Sequence, residues 1–146
     1  MDEFQVKRLI LASPLVYRRD DSLCFPPDEK FQREFLFRMA LDPAQIRRME
    51  PERAAFPGRL FEAGRPAENM TAGDLGRFEL PAGAYLFAQV RKHPDAGTLI
   101  NMIIEVQKEG LWEGLSLDER LYIRRLFEDG QMVTQVFRPF KKAGRP

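Results

Sequence analysis

The residues best suited to chemistry in this chain are few and scattered. Tyr85 and Phe87 stand two apart in AYLFAQV, where Ala84, Leu86, Ala88 and Val90 alternate with Tyr85, Phe87 and Gln89. Period-2 alternation predicts a strand with Tyr85, Phe87 and Gln89 on one face and Ala84, Leu86, Ala88 and Val90 on the other. Two rings on one face could form the wall of a groove, where aromatic faces attract organic cations and stack on flat apolar ligands. They could equally be core, since twelve Phe must mostly be buried. Glu128 follows Phe127 beside Asp129-Gly130. Buried, it would demand a cation; as a turn residue it would be solvated. Trp112, the only tryptophan, falls after an expected helix, either closing a pocket mouth or plugging the helix end. His93 is either a general base or a turn residue beside Pro94. Glu105 is expected on the wet face of its helix. Arg18-Arg19, Arg47-Arg48 and Arg124-Arg125 could hold phosphate, but each has acids nearby and reads equally as paired surface charge.

The elements that must position these groups follow from pattern. Residues 4–19 predict a strand kinked near Ser13-Pro14. Asp28 is placed to cap a helix with Phe31, Phe35 and Met39 at helical spacing. Asp42-Pro43-Ala44-Gln45 predicts a second helix start, with Ile46 and Met49 inward and a stop near Pro51. RLFEA at 59–63 and LGRFEL at 75–80 predict strands around a turn-rich loop at 64–73. Pro81-Ala82-Gly83 predicts a corner, because Pro cannot donate to a ladder and Gly tolerates bends. A helix then carries Leu99, Ile103 and Val106, widened by Ile100 and Ile104, with Gly110 as its stop. Asp129-Gly130 predicts a tight hairpin turn between 119–128 and 131–139. A helix from 117 to 128 competes, because Ser116-Leu117-Asp118-Glu119 fits a capping box. The strand is preferred, since MVTQVF needs a neighbour.

Bulk composition narrows the classes. The chain has 146 residues, 44% hydrophobic and 31% charged, with 23 basic and 22 acidic side chains. That size fits one domain with a sizeable core. Near-neutrality weighs against a nucleic-acid surface, so no direct nucleic-acid binding is expected, and against a carboxylate-rich mimic of DNA. One cysteine, Cys24, excludes an intrachain disulfide, and one cysteine with one histidine leaves little for a zinc site. No apolar run reaches the length of a membrane span, and MDEFQVKRLI lacks a secretory h-region. A cytoplasmic protein without cofactor is the expectation; no nucleotide, nicotinamide or metal signature is visible.

Leu80-Pro81-Ala82-Gly83-Ala84-Tyr85, set between two halves of similar order, resembles the step into the second half of the GyrI-like family. These are effector-binding domains found alone or attached to AraC- and MerR-type regulators. TQVFRPF at 134–140 is similar to that family's closing strand, ending in Phe137-Arg138-Pro139. The resemblance is good over 75–140 and weak over 1–74. It implies an α+β fold: two pseudo-symmetric strand–helix–strand–strand units, about 1–80 and 81–140, form antiparallel sheets with helices on one face and a groove on the other. Residues 141–146 would be a flexible basic tail. The implied function is binding of small amphipathic ligands, cationic ones included, by a stand-alone sensor or sequestering module at Tyr85, Tyr122 and Glu128, with Phe87, Trp112 and Phe137 as further aromatic candidates for the site. A homodimer or a separate DNA-binding regulator would be the macromolecular partner. Tyr122 sits where relatives carry an aromatic after an acid on the penultimate strand; here no acid immediately precedes it. The alternative is a hydrolase of strained-ring compounds, with Glu128 activating water and Tyr122 or Tyr85 polarising the substrate.

Overall fold

The computed structural model describes residues 4–23, 34–41, 58–67, 75–91 and 96–142. The strands are β1 (Lys7–Leu11), β2 (Leu15–Arg19), β3 (Phe35–Leu41), β4 (Gly58–Pro66), β5 (Arg77–Leu80), β6 (Gly83–Val90), β7 (Leu115–Leu117), β8 (Arg120–Glu128) and β9 (Gln131–Lys142). Among the described residues one helix, α1, spans Ala96–Trp112. The fold is α+β and rich in antiparallel sheet.

A single sheet runs in the order β1-β6-β9-β8-β3-β4-β2-β5, with short β7 paired to β9 off this path. Two pairs of consecutive strands sit near opposite ends of it. Only Pro81 and Ala82 separate β5 from β6, yet six strand spacings lie between them along the sheet. In a flat sheet that is about 29 Å, whereas three chain steps reach only about 11 Å. Ala12-Ser13-Pro14 joins β1 to β2 under the same constraint. The sheet must therefore curl, and it forms a half-barrel. The predicted kink and corner are the two short links that draw its ends together.

Curling gives the sheet two apolar faces. Outside, Met102, Ile103 and Val106 of α1 pack on Phe37, Met39, Leu86, Ala88, Ile123 and Val136. Inside, Tyr17, Leu36, Phe78, Leu80, Tyr85, Tyr122 and Phe137 form a second cluster. Strands buried on both sides read as continuous apolar runs. That explains β3: FLFRMAL shows Phe35 and Met39 four apart, a spacing common to helix and strand. The predicted helix through Phe35 and Met39 is thus replaced by a strand. Phe31, the Asp42 helix start, Arg47-Arg48, His93 and Cys24 lie outside the described residues, as does most of the 64–73 loop, whose first residues extend β4.

The 119–128 ambiguity resolves as strand. β8 and β9 form a hairpin with Glu128 opposite Gln131. Asp129 (φ 53°) and Gly130 (φ 77°) both take the left-handed conformation that a tight hairpin requires. The helix does not stop at Gly110. It continues to Trp112, and the chain turns at Gly114 (φ 70°). Gly110 serves a close approach instead: a Cβ there would lie 2.7 Å from Leu117. The basic tail also begins later than expected, because β9 runs through Lys142 and Lys141 pairs with Ser116.

Asp118 fixes the turn from β7 into β8. Its carboxylate accepts from the Arg120 backbone N–H at 2.8 Å and from Arg120 Nε at 3.0 Å. These bonds to Arg120 hold its pKa down to about 2. A depressed carboxylate contributes stability that is complete above the unfolded value of 3.8 and lost as pH falls toward 2. Asp118→Asn should therefore flatten the acid limb of a Tm-against-pH curve between about pH 4 and 2. An unchanged limb would mean that another carboxylate governs acid unfolding.

Candidate functional site

Period-2 alternation places the predicted rings on one face, and β6, β8 and β9 bring four of them together inside the curl. Tyr85 meets Phe137 edge-on at 5.6 Å and Tyr122 at 6.4 Å between ring centroids, and Phe87 lies 5.0 Å from Phe137. Their relation to solvent differs from the expected groove wall. Tyr85, Tyr122 and Phe137 are at most 2% exposed. Three strands carry them inward while β1, β2 and β5 fold over them, so they are core. Phe87 alone of the four faces open space.

That space is a cavity of about 980 Å³ beyond the start of β1. β1 pairs with β6 only as far as Lys7 opposite Phe87. Past that point β6 continues with Gln89 and ends before Arg91, and the chain leading into β1 moves aside. One wall carries Lys7, Phe87, Gln89 and Arg91; Phe4 and Val6 come from the leading segment; the other wall is a strip of α1, Asn101, Glu105 and Glu109. Their spacing of four puts these three helix residues on one side. Sequence reasoning missed the strip. Its signal was present, since Asn101, Glu105 and Glu109 flank the apolar stripe in steps of four, but nothing local tells such an edge from a wet face.

A polar relay reaches the cavity from inside the curl. The Tyr17 hydroxyl donates to Glu34 Oε2 at 2.8 Å and accepts from Arg124 Nε at 2.6 Å. Arg124 also donates to Gln135 Oε1 at 3.2 Å, and Gln135 Nε2 donates to Gln89 Oε1 at 2.8 Å. Arg124 is charged and can only donate, so it fixes the orientation of both amides. Arg19 is exposed and pairs with Glu62, as the surface-charge reading expects, but Arg124-Arg125 is not a surface doublet: Arg124 pairs with Glu34 from a largely buried position, and Arg125 is 2% exposed. Arg125 turns to the other face, 4.6 Å over the Phe35 ring.

Two other expected site residues lie elsewhere. Trp112 is 87% exposed at the last position of α1, so it is neither lid nor plug. Glu128 is no buried anion: it meets Arg91 at 3.0 Å with both side chains about half exposed. It touches the cavity only through that arginine. Glu128 and Tyr122 are six positions apart on β8, about 20 Å, and cannot attend one reacting bond. Burial raises the Tyr85 and Tyr122 phenols above their usual range, and Tyr85 already donates to the Pro81 carbonyl. The Glu128–Tyr122–Tyr85 hydrolytic assignment therefore has no geometric basis.

No family model matches the chain, and no curated protein matches it. Among the described residues no group of three or more His, Cys, Asp or Glu could hold a metal ion, and no helix is long and apolar enough to cross a membrane.

Proposed function

We propose that the protein binds small amphipathic organic molecules, cationic ones included, as a sensor or sequestering module of GyrI-like type. The observation that carries this reading is the cavity beside Phe87. Its volume, about 980 Å³, is that of a site for a drug-sized ligand. Phe87 and Phe4 offer apolar contact, and Glu105 and Glu109 offer negative charge. The ligand wall is thus shifted from the buried ring cluster to its open end. The pseudo-symmetric plan belongs to the same proposal: β6, α1, β8 and β9 follow strand–helix–strand–strand order, with β7 interposed.

A thermal-shift titration with tetraphenylphosphonium and with neutral polycyclic compounds tests it. A ligand at a hundredfold excess over its Kd stabilises by about 2.7 kcal/mol, enough to move Tm by several degrees. The cation should stabilise the protein, and Glu105→Gln/Glu109→Gln should weaken its binding about tenfold. No stabilisation by any compound, or unchanged cation binding in the double variant, would refute the reading.

A further inference from the structure

Resting on that reading, we infer that the cavity takes a zwitterionic ligand whose anionic end meets Lys7, Gln89 and Arg91 while its ammonium end meets Glu105 and Glu109. The two walls carry opposite charge. Lys7 stands opposite Phe87 in the β1–β6 ladder, so both belong to one sheet face, as does Gln89 by alternation; Arg91 follows just past the strand end and lines the same space. The carboxylates come from α1, which packs on the other face. Two cations and two anions line the space. A simple cation satisfies the carboxylate wall and leaves the donors of the other wall unused. A ligand that is neutral overall but charge-separated satisfies both, with its apolar body on Phe87 and Phe4.

The amide relay strengthens the assignment of the anionic end. Arg124 takes the carbonyl of Gln135, which turns the Gln135 NH2 toward Gln89 and engages the Gln89 carbonyl. Gln89 is left to present its NH2, a donor, on the same wall as Lys7 and Arg91. Three donors on one wall suit a carboxylate, which only accepts. The ion pairs at the rim do not compete strongly. Arg91–Glu128 at 3.0 Å and Lys108–Glu105 at 3.5 Å join side chains about half exposed or more, and such pairs exchange partners at little cost.

Calorimetric titration with three matched probes separates the ends: phenylalanyl-phenylalanine, its N-acetyl derivative and its C-terminal amide. The free dipeptide should bind at least tenfold tighter than either derivative. Arg91→Gln, at an exposed position, should abolish the advantage over the amide and keep that over the N-acetyl form. Gln89→Glu, which replaces a donor with an anion, should do the same. Glu105→Gln/Glu109→Gln should show the reverse pattern. If the amide binds as tightly as the free dipeptide, the anionic subsite does not exist, although the proposed binding function stands. Binding of lipophilic cations with no binding of any dipeptide likewise overturns the inference alone. If neither cations nor dipeptides bind, the underlying reading fails with it.

Discussion

Phe137→Ala should lower stability by about 3–5 kcal/mol, a fall in Tm on the order of 10 °C. Phe137 is 2% exposed, lies on β9 between β6 and β8, and touches the rings of both Tyr85 and Phe87. Its removal would empty a ring-sized volume that the curled sheet cannot collapse to fill, because neighbouring strands fix the backbone on both sides. The magnitude decides between two roles. A groove-wall ring contributes chiefly to ligand affinity, and its truncation leaves the free protein nearly as stable. A core ring contributes to the free protein itself. Chemical denaturation of the unliganded variant distinguishes them, and a loss below about 1 kcal/mol would put Phe137 in a ligand groove after all.

Gly64 should tolerate no side chain. A Cβ there would lie 2.6 Å from the Phe78 ring, 3.0 Å from the Arg18 carbonyl oxygen and 3.1 Å from the Tyr17 Cβ. The ring could shift by tenths of an ångström, but the carbonyl belongs to β2, which is paired to β4 on one side and β5 on the other. We expect Gly64→Ala to cost about 1–3 kcal/mol and Gly64→Val more, since overpacking here pries β2 from β4. Arg19, paired opposite Gly64, would move too, and its ion pair to Glu62 with it. A graded loss across the Ala and Val variants in denaturant midpoints supports this account. An Ala variant as stable as the parent would mean that β2 does not approach β4 as described.

Much of the chain's local plan was legible because its signals are local. Asp129-Gly130 demanded two left-handed residues and found them. The alternation from Ala84 to Val90 separated Tyr85 and Phe87 from Leu86, Ala88 and Val90, and the two clusters divide them the same way. Pro81-Ala82-Gly83 announced a corner. Errors arose where one pattern serves two structures. Phe35 and Met39 are four apart, which fits a helix face and equally one side of a strand. Gly110 suits a helix stop, but its missing Cβ is spent on contact with Leu117.

The residue order by itself determined β6, the Asp129-Gly130 turn and the shared face of Tyr85 and Phe87, because turn chemistry and side-chain alternation act over a few neighbours, whereas strand against helix over 119–128 was decided by the partners that β3 and β9 supply. Only the tertiary structure decided whether those rings meet ligand or one another. That depends on how far the sheet curls, and the curl is set by two short links between strands distant in the sheet. The same closure buries Tyr85, Tyr122 and Phe137, leaves Phe87 at an opening, and brings the Glu105 side of α1 against the end of β6. No window of sequence contains that meeting, since its walls come from residues 4–7, 87–91 and 101–109.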